Sequence, residues 1–122
     1  MAKVIIAGSR NLILDDDRLN RMIEYTGIVP TEVVCGEAKG PDSYGKEWAL
    51  ENSIPVASFP AKWDKYGKQA GILRNKQMGD YADALFAFWD GKSRGTKHMI
   101  DYMSSLNKEF YVEVLTENNK NS

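Results

Sequence analysis

Short apolar runs alternate with longer amphipathic segments along most of this chain. The apolar runs predict five strands, at about Lys3–Ala7, Glu32–Cys35, Ile54–Ser58, Ala84–Trp89 and Phe110–Leu115. The segments between them carry apolar residues at helical spacing and predict four helices, from about Asp15, from Pro41 to Asn52, from Gln69 to Tyr81 and from Thr96 to Leu106. Strands that alternate with helices indicate an α/β fold, a three-layer sandwich with a mostly parallel five-stranded sheet.

The composition of single strands predicts their place in the sheet. Ala84–Trp89 is the most apolar run and is expected at the centre, because a strand that is covered on both faces reads as continuously apolar. Phe110–Leu115 alternates apolar and polar residues and is expected at an edge. The segment Phe59–Lys68 is predicted as a loop. The strand order stays open between the two common doubly wound arrangements.

Length and composition fit one soluble domain. The chain has 122 residues, of which 43% are hydrophobic and 27% charged, and we expect a single domain at 1–116 with a flexible polar tail at 117–122. The formal net charge of −1 lacks the basic excess of a protein that binds long DNA or RNA. No apolar stretch approaches the roughly 20 residues of a membrane helix. The N-terminus enters a strand pattern directly, so we expect no signal peptide.

Cysteine and histidine usage limits the chemistry. The single Cys35 cannot form an internal disulfide and lies in an apolar run, which predicts a buried thiol and a reducing, cytoplasmic location. His98 is the only histidine, so a site with two histidine ligands is excluded, and no GxSxG motif accompanies it. GxGxxG and GxxxxGK[ST] are absent as well. We therefore expect neither a metal ion nor a resident cofactor.

Three apolar runs break into glycine-bearing turns just before a helical pattern. In a parallel sheet such turns lie at the carboxyl ends of strands, where glycine admits a ligand and a helix N-terminus offers free N–H groups to phosphate. Taken singly, each turn is also explained as a connection, and Thr96 as a helix N-cap. Together they predict a phosphate or nucleotide site with these candidate residues: Gly8, Ser9, Arg10, Gly36, Gly40, Asp42, Gly91, Ser93, Gly95 and Thr96.

Arg74 is the most unusual residue of the helical patterns. Its neighbours at i−4 and i+4 are Ala70 and Met78, so a guanidinium stands in an otherwise inward-facing stripe. Such an arginine needs an anionic or hydrogen-bonding partner. A ligand phosphate suits its planar fork of donors. The alternative is a bridge to Asp80, to Asp83 or to a carbonyl at a strand end.

Three further residues each have a ligand interpretation and a structural one. Asn75 can donate and accept at once, as recognition of a ribose or base requires, or it satisfies nearby backbone. Asp42 is favoured by the dipole of the helix that it begins, or it accepts from a ribose hydroxyl. Trp63 and Tyr66 lie among lysines and either stack on a base or cover the edge of the sheet.

These residues together resemble the SLOG superfamily and, within it, the YspA- and cpYpsA-related group of bacteria and phages. The resemblance covers about Val4 to Met103. Its most specific part is the pattern Ala-Gly-x-x-Arg-Asn-x-x-Met from Ala70 to Met78. The remaining segments that carry it are Gly8-Ser9-Arg10, Cys35 to Asp42, Pro60 to Trp63, and Trp89-Asp90-Gly91 through Gly95-Thr96.

The resemblance implies a Rossmann-like fold that binds nucleotides or nucleotide-derived ligands at the strand ends, often at a dimer interface. Related proteins release bases from nucleoside monophosphates or sense ADP-ribose-type signals in antiphage defence. The hydrolases carry a catalytic glutamate three residues after the threonine of the last turn, where this chain has Met99. Carried over by position, the residues of the site are Gly8, Ser9, Gly36, Gly40, Asp42, Arg74, Asn75, Gly91, Gly95 and Thr96.

Two functions are compatible with these residues. The first is binding of a nucleotide-derived ligand, such as an ADP-ribose-like or cyclic nucleotide signal, by a sensor or sequestering protein. The alternative is a nucleoside-phosphate N-glycosidase of the phosphoribohydrolase type, with Asp42, Glu37 or Asp90 as the substitute carboxylate. Methionine cannot transfer a proton, which favours binding without turnover. Exposed Met and Tyr side chains of the helix Thr96–Leu106 are candidate contacts of a homodimer or higher homo-oligomer.

Overall fold

The structure, a computed structural model, describes residues 2–9, 12–36 and 41–115, except the side chains of Pro41 and Asp42. The strands in these ranges are β1 (Lys3–Gly8), β2 (Glu32–Cys35), β3 (Val56–Ser58), β4 (Ala84–Trp89) and β5 (Glu109–Val114). The helices are α1 (Asp16–Thr26), α2 (Pro41–Glu51), α3 (Trp63–Tyr66), α4 (Ala70–Tyr81) and α5 (Arg94–Ser105), with a 3₁₀ turn at Gly67–Gln69. The predicted tail at 117–122 lies outside the described residues.

The strands form one sheet in the order β3-β2-β1-β4-β5, and every adjacent pair is parallel. This confirms the predicted α/β fold of Rossmann-like type and decides between the two arrangements that the sequence left open. After β3 the chain crosses over β2 and β1 to enter β4. The switch point, where ligands bind in such sheets, therefore lies between the carboxyl ends of β1 and β4.

The prediction that β4 is the central strand is wrong. The middle position belongs to β1, and β4 lies between β1 and the edge strand β5. Helices cover β4 on both faces, and its residues from Ala84 to Phe88 are buried. A continuous apolar run indicates that both faces of a strand are covered. Any inner strand meets this condition, so the run does not identify the central one.

Two predicted boundaries change near the candidate site. The segment Phe59–Lys68 is not all loop, because it contains α3 and most of the 3₁₀ turn. A helix of one turn is too short to produce a periodic signal, and Gly67, at φ +58°, ends it. Helix α5 begins at Arg94 instead of Thr96, so Ser93 is the N-cap residue and Thr96 lies inside the first turn.

The sheet buries both faces because alternate residues of each strand point in opposite directions. On one face Val4, Ile6 and Phe86 pack against Leu19 of α1 and Trp48 of α2. On the other face the intervening strand residues pack against α4 and α5, in a cluster that consists of Ile5, Ala7, Val34, Met78, Ala82, Leu85, Ala87, Met99 and Met103. The three predicted layers are thus present. Cys35 is buried, as predicted.

The ends of α1 follow the sequence signals closely. The side chain of Asp15 accepts a hydrogen bond from the N–H of Arg18 at 2.9 Å, and Asp16 and Asp17 supply negative charge to the first turn. Gly27, at φ +72°, ends the helix in the left-handed region. Within the described ranges, no helix is both long enough and apolar enough to span a bilayer.

Lys108 caps the carboxyl end of α4 from the start of β5. Its ammonium donates to the carbonyl oxygens of Gly79, Asp80 and Ala82 at 2.8, 3.0 and 2.8 Å. These carbonyls belong to the last turn of α4 and the residue after it, where the helix dipole favours a cation. One side chain therefore joins α4 to the edge strand.

We predict that Lys108→Met lowers the free energy of unfolding by about 1–2 kcal/mol, because it keeps the aliphatic stem and removes the charged donors. Lys97→Met is the matched control, since Lys97 makes only an exposed ion pair with Asp101, and it should change stability by about 0.5 kcal/mol or less. Urea denaturation of the three proteins measures both values. Equal effects of the two substitutions would contradict the capping role.

Candidate functional site

The carboxyl edge of the sheet collects most of the predicted site residues. Gly8 ends β1 and Ser9 follows it, Gly36 follows β2, and Gly91 and Ser93 lie in the turn after β4. Contacts described below bring Arg74, Asn75, Gly95 and Thr96 to this edge from α4 and α5. Arg10, Glu37 and Gly40 lie outside the described residues, and the side chain of Asp42, in the first turn of α2, does too.

Ser9 joins the loops that follow β1 and β4. Its buried hydroxyl oxygen accepts a hydrogen bond from the N–H of Asp90 at 3.0 Å. Its own N–H donates to the carbonyl of Phe88 at 3.0 Å. Ser9 therefore fixes the two sides of the switch point relative to each other, whether or not a ligand is bound.

Asp90 shapes the turn that leads into α5. One carboxylate oxygen accepts from the N–H groups of Lys92 at 2.8 Å and Ser93 at 2.7 Å, and Gly91 supplies a positive φ of +82°. The bonds from Ser93 and Lys92 hold the pKa of Asp90 below its ordinary value, with a smaller contribution from the Ser9 hydroxyl. Because Asp90 is held in its ionised form by hydrogen bonds within its own turn, it does not suit the role of a general acid, which must donate a proton.

Nε and one terminal nitrogen of Arg74 have hydrogen-bond partners within the protein. One terminal nitrogen donates to the carbonyl oxygen of Gly36, and Nε donates to Oδ1 of Asn75 at 3.1 Å. Of the structural partners that the sequence left open, the strand-end carbonyl is the one that the structure shows. The two carboxylates have other partners, since Asp80 accepts from the Tyr102 hydroxyl and Asp83 from the N–H of Lys3.

Gly36 makes room for the guanidinium of Arg74. A Cβ on Gly36 would lie 2.7 Å from Cζ of Arg74, closer than two carbon atoms can approach. Its φ lies outside the left-handed region, so a side chain at this position would conflict with the guanidinium of Arg74 and not with the backbone conformation. Gly95 differs, because a Cβ there would meet no heavy atom within 4 Å. The glycines of this edge therefore have different physical roles.

Asn75 connects Arg74 to α5. The side chain is 7% exposed, and its Nδ2 donates to the carbonyl of Gly95 at 3.1 Å and lies 3.2 Å from Nδ1 of His98. The amide cannot be reversed, because its NH₂ group would then face the donor of Arg74 and its oxygen would face the Gly95 carbonyl. The interaction with backbone is the predicted alternative that the structure shows for Asn75.

The orientation of Asn75 determines the state of His98. Because Nδ2 is a donor, Nδ1 of His98 must be the acceptor, so the imidazole is neutral with its proton on Nε2. The pKa of His98 is lowered by burial and by the positive charge of Lys76, against an opposing effect of Asp101. From the sequence, His98 was considered only as the single histidine, and this role was not predicted. The signal available in the sequence was spacing. His98 lies three residues after Gly95, about one helical turn, so the two positions are neighbours on one face of the helix.

The N–H of Ser93, the N-cap residue of α5, donates to Asp90, but the Ser93 side chain does not cap the first turn. The side chain of Ser93 makes no capping hydrogen bond and lies 3.4 Å, between hydroxyl oxygens, from the buried Thr96. The first turn of α5 contains no acidic residue, whereas α1 has Asp16 and Asp17 there. Lys92 and Arg94 are exposed beside this end of α5. Lys92 and Arg94 outweigh the carboxylate of Asp90 in formal charge at this end of α5, so an anion is favoured there more than at α1.

Three other candidate residues have defined surroundings. Trp63 and Tyr66 are exposed, and the indole of Trp63 lies against Gly71 in the first turn of α4. Met99 is buried in the cluster between the sheet and α5. Met103 is buried there too, so the prediction that α5 presents exposed methionines to a partner is wrong. The cause is that the i, i+4 stripe of α5 faces the sheet.

Across the residues described, His, Cys, Asp and Glu form no group of three or more that could hold a metal ion.

Comparison with known proteins places the chain beside a phage protein. It is 35% identical over 111 residues to the Gene 61 protein of Mycobacterium phage D29, in an alignment that spans 80% of this chain and 85% of the phage protein. The chain belongs to the Gene 61 protein family. No protein-family model matches it, and no solved structure does. The arrangement at the carboxyl edge is thus described here for a chain of the Gene 61 family.

We predict that Gly36→Ala lowers the free energy of unfolding by about 1–3 kcal/mol, because the added methyl group displaces the Arg74 guanidinium. Gly95→Ala is the matched control and should leave stability unchanged or raise it by up to about 1 kcal/mol. A double-mutant cycle in urea measures the coupling: the cost of Gly36→Ala should shrink when Arg74 is already alanine. An undiminished cost would contradict the account of Gly36.

We predict that stability falls as the pH drops below 6.5, the ordinary pKa of histidine. The folded protein holds His98 neutral, so the unfolded chain binds more protons in this range and acid favours unfolding. His98→Asn keeps an acceptor near Nδ1 and does not titrate, and should lose less stability between pH 7.5 and pH 5.5. Urea denaturation at the two pH values measures the difference. Identical losses would show that His98 does not contribute.

Proposed function

We propose that this protein binds a small nucleotide or nucleotide-derived ligand at the carboxyl edge of the sheet, as a sensor or sequestering protein. The observation that carries the proposal is the N-terminus of α5 at the switch point, without a side-chain cap and beside the exposed Lys92 and Arg94. The phosphate of the ligand would accept hydrogen bonds from N–H groups of this first turn.

The strand order supports this location. Ligands of open α/β sheets bind where the order reverses, and in this sheet the reversal lies between β1 and β4. The loops on its two sides are held together by Ser9 and Asp90. A loop pair that is fixed before binding loses little entropy when a ligand arrives. Space is available at Gly95, where a Cβ would meet no neighbour.

The charges around this edge also support an anionic ligand. Lys92 and Arg94 are exposed, and the carboxylate of Asp90 is directed to backbone N–H groups of its own turn. Arg74 contributes in a different way from the one its sequence position suggested, because its described bonds hold Gly36 and Asn75. In this proposal Arg74 and Asn75 position the edge, and α5 with its neighbouring cations binds the phosphate.

Binding without turnover is the better supported of the two functions. The position of the hydrolase glutamate is occupied by Met99, which is buried against the sheet and carries no proton. Asp90, one of the substitute carboxylates, has a lowered pKa and accepts two backbone hydrogen bonds. The resemblance to the SLOG superfamily is part of this proposal, including a role in signalling between phage and host.

The test is incubation of the purified protein with nucleoside monophosphates, ADP-ribose, cyclic ADP-ribose and cyclic dinucleotides. Mass spectrometry then identifies ligand that heating releases from the protein and any free base in solution. We predict that one of these compounds is recovered intact, and that the double variant Lys92→Gln, Arg94→Gln binds it about tenfold more weakly.

Arg21→Gln is the matched control, because Arg21 is equally exposed but lies on α1 and donates to the carbonyl of Asp17. It should bind like the unaltered protein. Binding that is equal in all three proteins would contradict the site at α5. Release of free base with turnover would favour the hydrolase instead.

A further inference from the structure

Strand β5 presents an apolar stripe at the edge of the sheet. Its partner among the described residues is β4 alone. Phe110, Val112 and Val114 are 37%, 36% and 57% exposed, and they alternate with Tyr111 and Glu113, which point to the opposite face. Half of this strand's side chains thus form an exposed apolar row.

The backbone of the same three residues points away from the sheet. The N–H of Leu115 donates to the carbonyl of Trp89 in β4 at 2.7 Å, so Leu115 faces β4. Because backbone groups alternate along a strand, the N–H and C=O groups of Phe110, Val112 and Val114 point outward. The outer edge of β5 therefore combines apolar side chains with backbone groups that have no strand partner among residues 2–9, 12–36 and 41–115.

Protein sheets usually protect such an edge. Proline, lysine, a bulge or a very short strand are the common devices. The six residues from Glu109 to Val114 include none of the three residue types that interrupt or charge an edge most effectively, Pro, Gly and Lys. Lys108, just before the strand, is directed to the end of α4. The edge remains competent to pair with another strand.

We propose that β5 pairs with β5 of a second copy of this chain, antiparallel and centred on Val112. A two-fold axis relates two identical edges only when their strands run antiparallel, and such a contact closes on itself. Val112 then lies opposite Val112 of the second copy, and Phe110 opposite its Val114. These three pairs exchange about six backbone hydrogen bonds and join two sheets into one.

The charges of β5 exclude two other registers. Centring the axis on Tyr111 would place Glu109 opposite Glu113 of the second copy, and centring it on Glu113 would place that glutamate opposite itself. Like charges directly opposite each other destabilise a strand pair. With Val112 at the centre, Glu113 lies opposite Tyr111 and no charged residue of the strand lies opposite another. Axes on Phe110 or Val114 avoid this repulsion too, but only the axis on Val112 pairs all three residues of the apolar row with each other.

The contact does not depend on the proposed ligand. A single strand pair buries less than the roughly 800 Å² per partner of a standard interface, so the dimer should form in a concentration-dependent equilibrium. Sedimentation velocity over a dilution series of the full chain measures it. Val112→Lys should shift the equilibrium to monomer by more than tenfold, whereas Leu50→Lys, at an exposed apolar residue of α2, should not. Circular dichroism verifies that both variants fold.

Oxidative cross-linking tests the register. Opposed residues of a hydrogen-bonded antiparallel pair have Cα atoms about 5.5 Å apart, within disulfide range. Val112→Cys should therefore form a disulfide dimer rapidly. Val114→Cys is the matched control, because its two copies would lie about 13 Å apart at about 3.3 Å per residue. Equal oxidation rates of the two variants, or a monomer at every concentration, would overturn the proposal and leave the edge of β5 to a strand of another protein.

Discussion

The carboxyl edge of this sheet depends on one chain of hydrogen bonds through Arg74 and Asn75. It runs from the carbonyl of Gly36, after β2, through both side chains to the carbonyl of Gly95 and to His98 on α5. Each atom in the chain has one permissible role, since arginine only donates and a carbonyl only accepts. The consequence is a fixed amide orientation, a neutral imidazole and a guanidinium packed on Gly36, which together hold α4 and α5 in place at the edge where ligands of such folds bind.

The alternation of apolar runs and helical stripes was sufficient to predict the fold, because both faces of the sheet are buried by consecutive residues such as Val4, Ile5 and Ile6. The order of the strands within the sheet was not predictable in this way, because β1 and β4 are both covered on two faces. The pattern around Arg74 correctly indicated an unusual partner and included a strand-end carbonyl among the alternatives. The choice between that carbonyl and a phosphate depends on which backbone lies opposite Arg74, and this is fixed only by the packing of α4 on the sheet.

The glycines show how the same sequence signal has different causes. Gly36 lies against the guanidinium of Arg74, Gly91 has a positive φ in the turn, and Gly95 has no neighbour where its Cβ would be. Space is also open at Gly91, but only Gly95 lies in the first turn of a helix. Ser9 and Asp90 join the loops beside it, and we propose that the backbone donors and exposed cations of this first turn bind the ligand.

Backbone amide resonances test binding at α5 most directly. In ¹H–¹⁵N spectra of the labelled protein, titration with the nucleotide that it retains should shift Gly95 and Thr96 most strongly, in a saturable way, because their N–H groups would donate to its phosphate. The resonances of the first turn of α1, with its acidic residues, should stay in place. Shifts confined to the lysines around Trp63, with Gly95 and Thr96 unchanged, would contradict a phosphate site at the N-terminus of α5.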